Sequence, residues 1–126
     1  MTADERRFAP VTRTDLVRYA GASGDFHPLR HDEQFCRAAG FPSPFAMGMY
    51  SAGLIGTWAA DRVAPEAIRR FRVRFEQQVW PRDELVVSGS REPGSDTFEI
   101  TCARADGMVV TRAWVSVVEH ENSTPD

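Results

Sequence analysis

The segment Asp25-Phe26-His27-Pro28-Leu29-Arg30-His31-Asp32 gathers residues that can move protons and bind anions. A carboxylate and an imidazole within reach of each other can pass a proton between water and carbon. Asp25 and His27 are two residues apart, so in an extended loop both side chains project to one side. Pro28 holds His27 in extended geometry. His31 sits next to Arg30, and neighbouring side chains in an extended segment point apart, so His31 would need a local twist to point where Arg30 does. Arg30 stays protonated and accepts no hydrogen bond, so it cannot act as a base. It can clamp a carboxylate, stabilise an enolate oxygen, or pair with Asp25 or Asp32 to order the loop. Beside Asp25 it would lower that carboxyl's pKa. The plainer alternatives are a His27 that bonds to backbone and a His31 that faces solvent. Three histidines, and two cysteines far apart, give no metal cluster at ligand spacing.

The elements that must hold this loop can be read from period and punctuation. Thr14 is placed to cap a short helix from Asp15 to about Ala22, which Gly21, Ser23 and Gly24 end. Asp32 starts a second helix to Ala39, with Gly40 at its left-handed C-cap. Residues 45–60 are nearly uncharged and rich in small side chains, which predicts a central helix enclosed by other structure. From Arg69 the period becomes alternating. Phe71, Val73, Phe75, Gln77 and Val79 share one face of a strand of nine or more residues. Pro81-Arg82-Asp83 turns the chain. Strands are predicted at Leu85–Ser90, Thr97–Arg104 and Met108–Val118, with Ala105-Asp106-Gly107 as a tight hairpin turn. Short helices, a buried helix and an antiparallel meander together give an α+β fold with a sheet wrapped over one helix.

The chain has 126 residues, 42% apolar and 26% charged, which suits one domain spanning 1–126. The core is expected over about residues 8–118, with 119–126 a loose polar tail. A net charge of −3 gives no bulk case for nucleic acid or a membrane surface. No apolar run approaches the ~18 residues of a membrane-spanning helix. Every one of the 15 basic residues is arginine. Cys36 and Cys102 fall in a helix and a strand and read as packed free thiols of a reducing compartment, with a cytoplasmic location.

Residues 19–32, with Gly24-Asp25-Phe26-His27-Pro28-Leu29-Arg30 at their centre, resemble the signature loop of the MaoC-like (R)-specific enoyl-CoA hydratases, which reads Gly-Asp-x-Asn-Pro-hydrophobic-His. Ala38-Ala39-Gly40-Phe41 and Phe45-Ala46-Met47-Gly48-Met49 resemble the stretch where that family has Ala-His-Gly-Met. Val73-Arg74-Phe75 and Val79-Trp80-Pro81-Arg82-Asp83 resemble its Arg-Phe and Pro-Gly-Asp blocks. The resemblance implies a hot-dog domain and reversible hydration of a 2-enoyl thioester, or dehydration of the 3-hydroxyacyl form. The thioester is on coenzyme A or a carrier protein and is substrate, so no separate cofactor is expected. It implies Asp25 at the catalytic Asp and the Gly48 N–H as donor to the thioester oxygen, since a helix start offers free N–H groups. Met47, Met49 and Tyr50 are candidates for the substrate pocket, with core packing as the plainer role. Arg69, Arg70, Arg72 and Arg74 could meet coenzyme A phosphates or form a solvated strand face. One hot-dog sheet leaves edges and a face to cover, so a homodimer, or a heterodimer with a paralogous hot-dog chain, is expected.

The chain departs from the family pattern at three places. Arg30 stands at the catalytic His, His27 at the Asn, and Met47 at the His of Ala-His-Gly-Met. Loss of a general base typically costs ~10²–10⁴ in rate. Three readings stay open. His27 or His31 supplies the missing imidazole; Arg30 has its own role on a specialised, polyketide-like substrate or in a related elimination or cyclisation; or the chain is a partner-dependent subunit of a heteromeric dehydratase.

Overall fold

The computed structural model describes residues 4–118. The polar tail expected at 119–126 lies outside them. In chain order the elements are β1 (Asp4–Arg7), α1 (Arg13–Ser23), a 3-10 turn (Pro28–Arg30), α2 (Glu33–Ala38), α3 (Gly48–Ala60), β2 (Ile68–Phe75), β3 (Leu85–Arg91), β4 (Thr97–Arg104) and β5 (Val109–Val117). The five strands form one antiparallel sheet in the order β1-β3-β4-β5-β2. This is the α+β hot-dog arrangement that the sequence predicts: a sheet laid over one long helix.

The alternation along each strand decides which face meets α3. Leu85 and Val87 of β3, Ile100 and Cys102 of β4, and Ala113, Val115 and Val117 of β5 point inward and are buried. They close on Ile55, Trp58 and Ala59 of α3 in one apolar cluster. The inner face has one gap by design of sequence. At Gly89 an added Cβ would stand 2.8 Å from the Trp58 ring and 2.9 Å from Ile100. Glycine lets the indole approach β3 closely. Trp58 is further held by its Nε1–H to the Asp4 carbonyl at 3.2 Å and by the Arg62 guanidinium 3.8 Å from its ring.

Four expectations need correction. The cap of α1 is Thr12, not Thr14. Thr12 Oγ1 accepts from Asp15 N–H at 3.0 Å, and Asp15 Oδ2 accepts from Thr12 N–H at 2.9 Å. That reciprocal pair starts the helix two residues earlier than Asp15. The central helix begins at Gly48, because 45–47 stay extended and Ala46 N–H donates to the Val79 carbonyl at 2.9 Å. Nor is α3 enclosed: Met49, Gly53, Thr57 and Ala60 form an exposed stripe, since a single sheet covers only one side. The alternating strand stops at Phe75. The N–H groups of Glu76 and Gln77 both turn to the Val110 carbonyl, and residues 76–79 leave the ladder to back the start of α3. Among the described residues no helix is long and apolar enough to cross a membrane.

The turn at Pro81-Arg82-Asp83 holds Arg82 at φ 79°, the one non-glycine residue with positive φ among those described. Its N–H donates to the Val11 carbonyl, Asp83 N–H to the Trp80 carbonyl and Trp80 N–H to Asp83 Oδ2, so the geometry is fixed from three sides. A left-handed residue with a Cβ costs ~1–2 kcal/mol. Arg82→Gly should therefore stabilise the fold by about 0.5–1 kcal/mol once the greater freedom of glycine in the unfolded chain is deducted. A urea midpoint that moves up with an unchanged slope would show it. An unmoved midpoint would mean that the Arg82 side chain offsets the strain.

Candidate active site

The signature loop is built by two caps. Gly24, at φ 76°, ends α1 in the left-handed region, and Asp25 N–H returns to the Ala20 carbonyl at 2.9 Å. Asp25 Oδ1 then accepts the His27 N–H at 3.1 Å. His27 is extended, as the following proline requires. Pro28 next opens the 3-10 turn, and the His27 Nδ1 accepts from Leu29 N–H at 3.1 Å. The imidazole therefore caps the turn. Its proton belongs on Nε2, which makes it a donor and not a base on its outer side. The ring stands edge-on to Phe35, 5.6 Å between centroids. His31 is exposed at the end of the turn.

Arg30 is the residue that reaches Asp25. Its Nε donates to Asp25 Oδ2 at 3.1 Å, with the side chains only 19% and 26% exposed. Its Nη1 donates to the carbonyls of Phe45 at 3.2 Å and Ala46 at 3.3 Å, and its guanidinium lies 5.1 Å from the Phe45 ring centre. It thus joins the loop to the segment that leads into α3. The Leu29 carbonyl makes a second tie, accepting from the Cys36 thiol and from Phe45 N–H at 3.4 Å each. Cys36 and Cys102 are both buried free thiols.

The His27 backbone N–H and, after it, the Arg30 guanidinium hold the Asp25 carboxyl below its ordinary value of 3.8. A depressed carboxyl adds stability at pH values above the unfolded value, and loses it as pH falls through the lower folded value. The gap in melting temperature between the wild type and Asp25→Asn should stay constant near neutrality and close only below about pH 4. Melts across pH 2–7 would show this. A gap that closed near pH 6 would assign the effect to an imidazole instead.

A cavity of about 410 Å³ opens at the start of α3. Arg30, Met47, Gly48, Met49 and Phe75 line it, with Glu76, Gln77 and Gln78 on the far wall. No side chain caps α3 at Met47, so the first N–H groups of the helix are free of side-chain partners. The Phe75 ring closes on Gly48: an added Cβ would come 3.0 Å from two of its carbons, so the ring would have to give way. Beneath, Ser51 Oγ bonds the Gly48 carbonyl at 3.0 Å and Thr111 Oγ1 at 2.6 Å, a buried pair that ties the helix start to β5.

Not every residue singled out in the sequence is brought to this cavity. Arg30, Met47, Gly48 and Met49 are on its wall. Asp25 is joined to it through Arg30. His27 and His31 are off it: the His27 ring turns back to the Leu29 N–H, and His31 is exposed beyond the 3-10 turn. Tyr50 faces Tyr19, edge to face at 5.6 Å, and packs on the core instead; burial raises its hydroxyl pKa. Phe75, Gln77 and Gln78 were legible only as strand residues. What makes them wall residues is the break at Glu76, which the unbroken alternation conceals.

The chain matches the family model for the MaoC like domain over residues 1–113. It is 28% identical over 99 residues to the peroxisomal multifunctional enzyme type 2 of Mus musculus, covering 76% of this chain and 14% of that protein. It is 33% identical over 67 residues to the peroxisomal enoyl-CoA hydratase 2 of Arabidopsis thaliana, covering 51% of this chain and 22% of that protein. It thus spans less than a quarter of the length of either relative. The ChsH1-ChsH2 complex from Mycobacterium tuberculosis has a chain of the same fold, with a TM-score of 0.76 at 22% identity over 92% of this chain and 94% of that one. The order of the elements, the capped loop before α2, and the match over residues 1–113 lead to one conclusion: the chain belongs to the MaoC-like domain family.

Proposed function

We propose that the chain is a subunit of a hydratase or dehydratase acting on a 2-enoyl or 3-hydroxyacyl thioester, and that it depends on a second hot-dog chain for an acid–base imidazole. The observation that carries this is the Asp25 carboxylate: among the described residues it hydrogen-bonds to the Arg30 guanidinium and the His27 N–H, and to no imidazole. Arg30 cannot take the proton that water must lose. What the chain does offer is a binding site. A cavity of about 410 Å³ is ample for the acyl and thioester part of a substrate, and its apolar walls end at free helix N–H groups. The thioester is held as substrate, on coenzyme A or a carrier protein, and no cofactor is invoked.

The surface supports a partner. Edge strand β2 leaves Phe71 and Phe75 exposed, and Met49 of α3, 52% exposed, stands at the same cavity as Phe75. A second hot-dog chain laid along β2 would cover these and wall the open side of the cavity. The names of the similar proteins agree with both halves: an enoyl-CoA hydratase, and a complex of two named chains.

The purified chain alone should bind trans-2-enoyl-CoA, short or long, without consuming the conjugated thioester absorbance. Together with a MaoC-like chain that keeps the Asp and His pair, turnover should appear. Full turnover by the isolated chain would overturn the partner dependence. It would favour Asp25 working without a partner's imidazole, and Asp25→Asn would then abolish the activity.

A further inference from the structure

We propose that Arg30 is a second donor to the thioester carbonyl oxygen, acting beside the Gly48 N–H; this rests on the cavity being a thioester site. The guanidinium is fixed before any ligand arrives. Nε is held by Asp25, Nη1 by the Phe45 and Ala46 carbonyls, and the plane leans on the Phe45 ring. Among the described residues Nη2 makes no hydrogen bond, and Arg30 lines the cavity together with Gly48. The Ala46 carbonyl that Nη1 holds is only two residues, at most ~7 Å of chain, from Gly48. Arg30 and Gly48 thus meet at one cavity, and Nη2 is the Arg30 donor left to serve it.

Charge and shape then decide what is bound there. Each edge of the guanidinium fork includes Nη2, and each has its other nitrogen already engaged. The residue can no longer grip a carboxylate with two parallel bonds, but it can donate to a single oxygen. The Asp25 carboxylate offsets the Arg30 charge, so a ligand that arrives as an anion gains little. A neutral carbonyl that acquires charge during reaction gains most, because the donors are already oriented and partly shielded from water. In hydration, the water oxygen bonds C3 and the C2–C3 π pair moves onto the thioester oxygen. The pair returns as C2 takes the proton that the water gave up to the acid–base group. Arg30 gives and takes no proton in this sequence. It faces the oxygen at the moment the charge is there.

The test uses trans-cinnamoyl-CoA, whose conjugated absorbance moves to longer wavelength when its carbonyl is polarised. Bound to the wild-type chain, or to its complex with a catalytic partner, the probe should show that red shift. Arg30→Gln should bind it within a few fold and lose most of the shift. Asp25→Asn, which keeps Arg30 and removes the charge that offsets it, should keep or enlarge the shift. A wild-type shift retained in Arg30→Gln overturns the proposal, as does loss of the shift in a folded Asp25→Asn. If the wild type binds the probe with no shift, this proposal fails while the thioester site stands. If it does not bind the probe at all, the thioester site itself fails.

Discussion

Arg30→His should give the isolated chain hydratase activity on a short trans-2-enoyl-CoA, about 10²-fold or more above the wild type. The substitution puts an imidazole five residues after Asp25, where the resemblance places the family's catalytic His. Two changes act together. Asp25 loses the guanidinium that helps hold its pKa down and becomes a better base. An imidazole that can both take and return a proton stands on the cavity wall in place of a group that can do neither. The gain should fall toward the low end of the usual range for a general base, because the variant gives up the carbonyl donor argued for Nη2. It also releases the Phe45 and Ala46 carbonyls that position the start of α3. Loss of the enoyl absorbance measures it directly. If Arg30→His bound the thioester like the wild type and stayed silent, the missing imidazole would not be what limits this chain.

The largest effect on stability is expected at Trp58. Trp58→Ala should cost about 3–5 kcal/mol, a large share of the ~5–15 kcal/mol that holds a domain of this kind. The indole is 1% exposed, meets Phe98 edge-on at 5.9 Å, and carries the bond to the Asp4 carbonyl that ties β1 to α3. Its removal opens a space at Gly89 that no neighbouring side chain fills. Gly89→Ala should cost about 1–3 kcal/mol for the opposite reason, since the added carbon meets the indole, Ile100 and the Glu99 carbonyl at once. The two should therefore not add. In the double variant the methyl enters the vacated space, and the cost should be at least 1 kcal/mol below the sum. Urea unfolding of the four proteins in the cycle decides this. Simple additivity would mean that the sheet, and not the indole, resists the methyl.

Most of the fold was open to reading because its signals are local. Alternation placed β2 to β5, Asp106-Gly107 placed a hairpin, and Asp32 and Gly40 framed α2. The misreadings came where a distant group decides. The cap of α1 is an exception, since the Thr12-x-x-Asp15 spacing is a local capping-box signal that competes with Thr14. The end of β2 depends on the Val110 carbonyl, which turns the chain out of its ladder. The site was half legible. Asp25 and Arg30 stand out by residue type and order, and Gly48 only through the resemblance to the family's helix start. The place of His27 does not, because its extended backbone was foreseen while the ring turned back to the Leu29 N–H. The Phe75 ring over Gly48 joins residues far apart in the chain, and nothing near either one announces it.

Strand β5 has a consequence for how the chain is made. It lies between β4 and β2, so it closes two of the four pairings of the sheet, and among the described strands it is the last to be synthesised. On the ribosome, α3 and β2 emerge well before the strand that must support them. The exposed arginines of β2, with Phe71 and Phe75 among them, then wait beside a helix with no sheet to rest on. The meander β3-β4-β5 can zip through its short turns as soon as it is complete, and β2 and β1 dock onto it afterwards. Folding of the sheet is thus held back until β5 has been made, and a nascent chain stalled before Val109 would present its apolar inner face to whatever chaperone or partner is near.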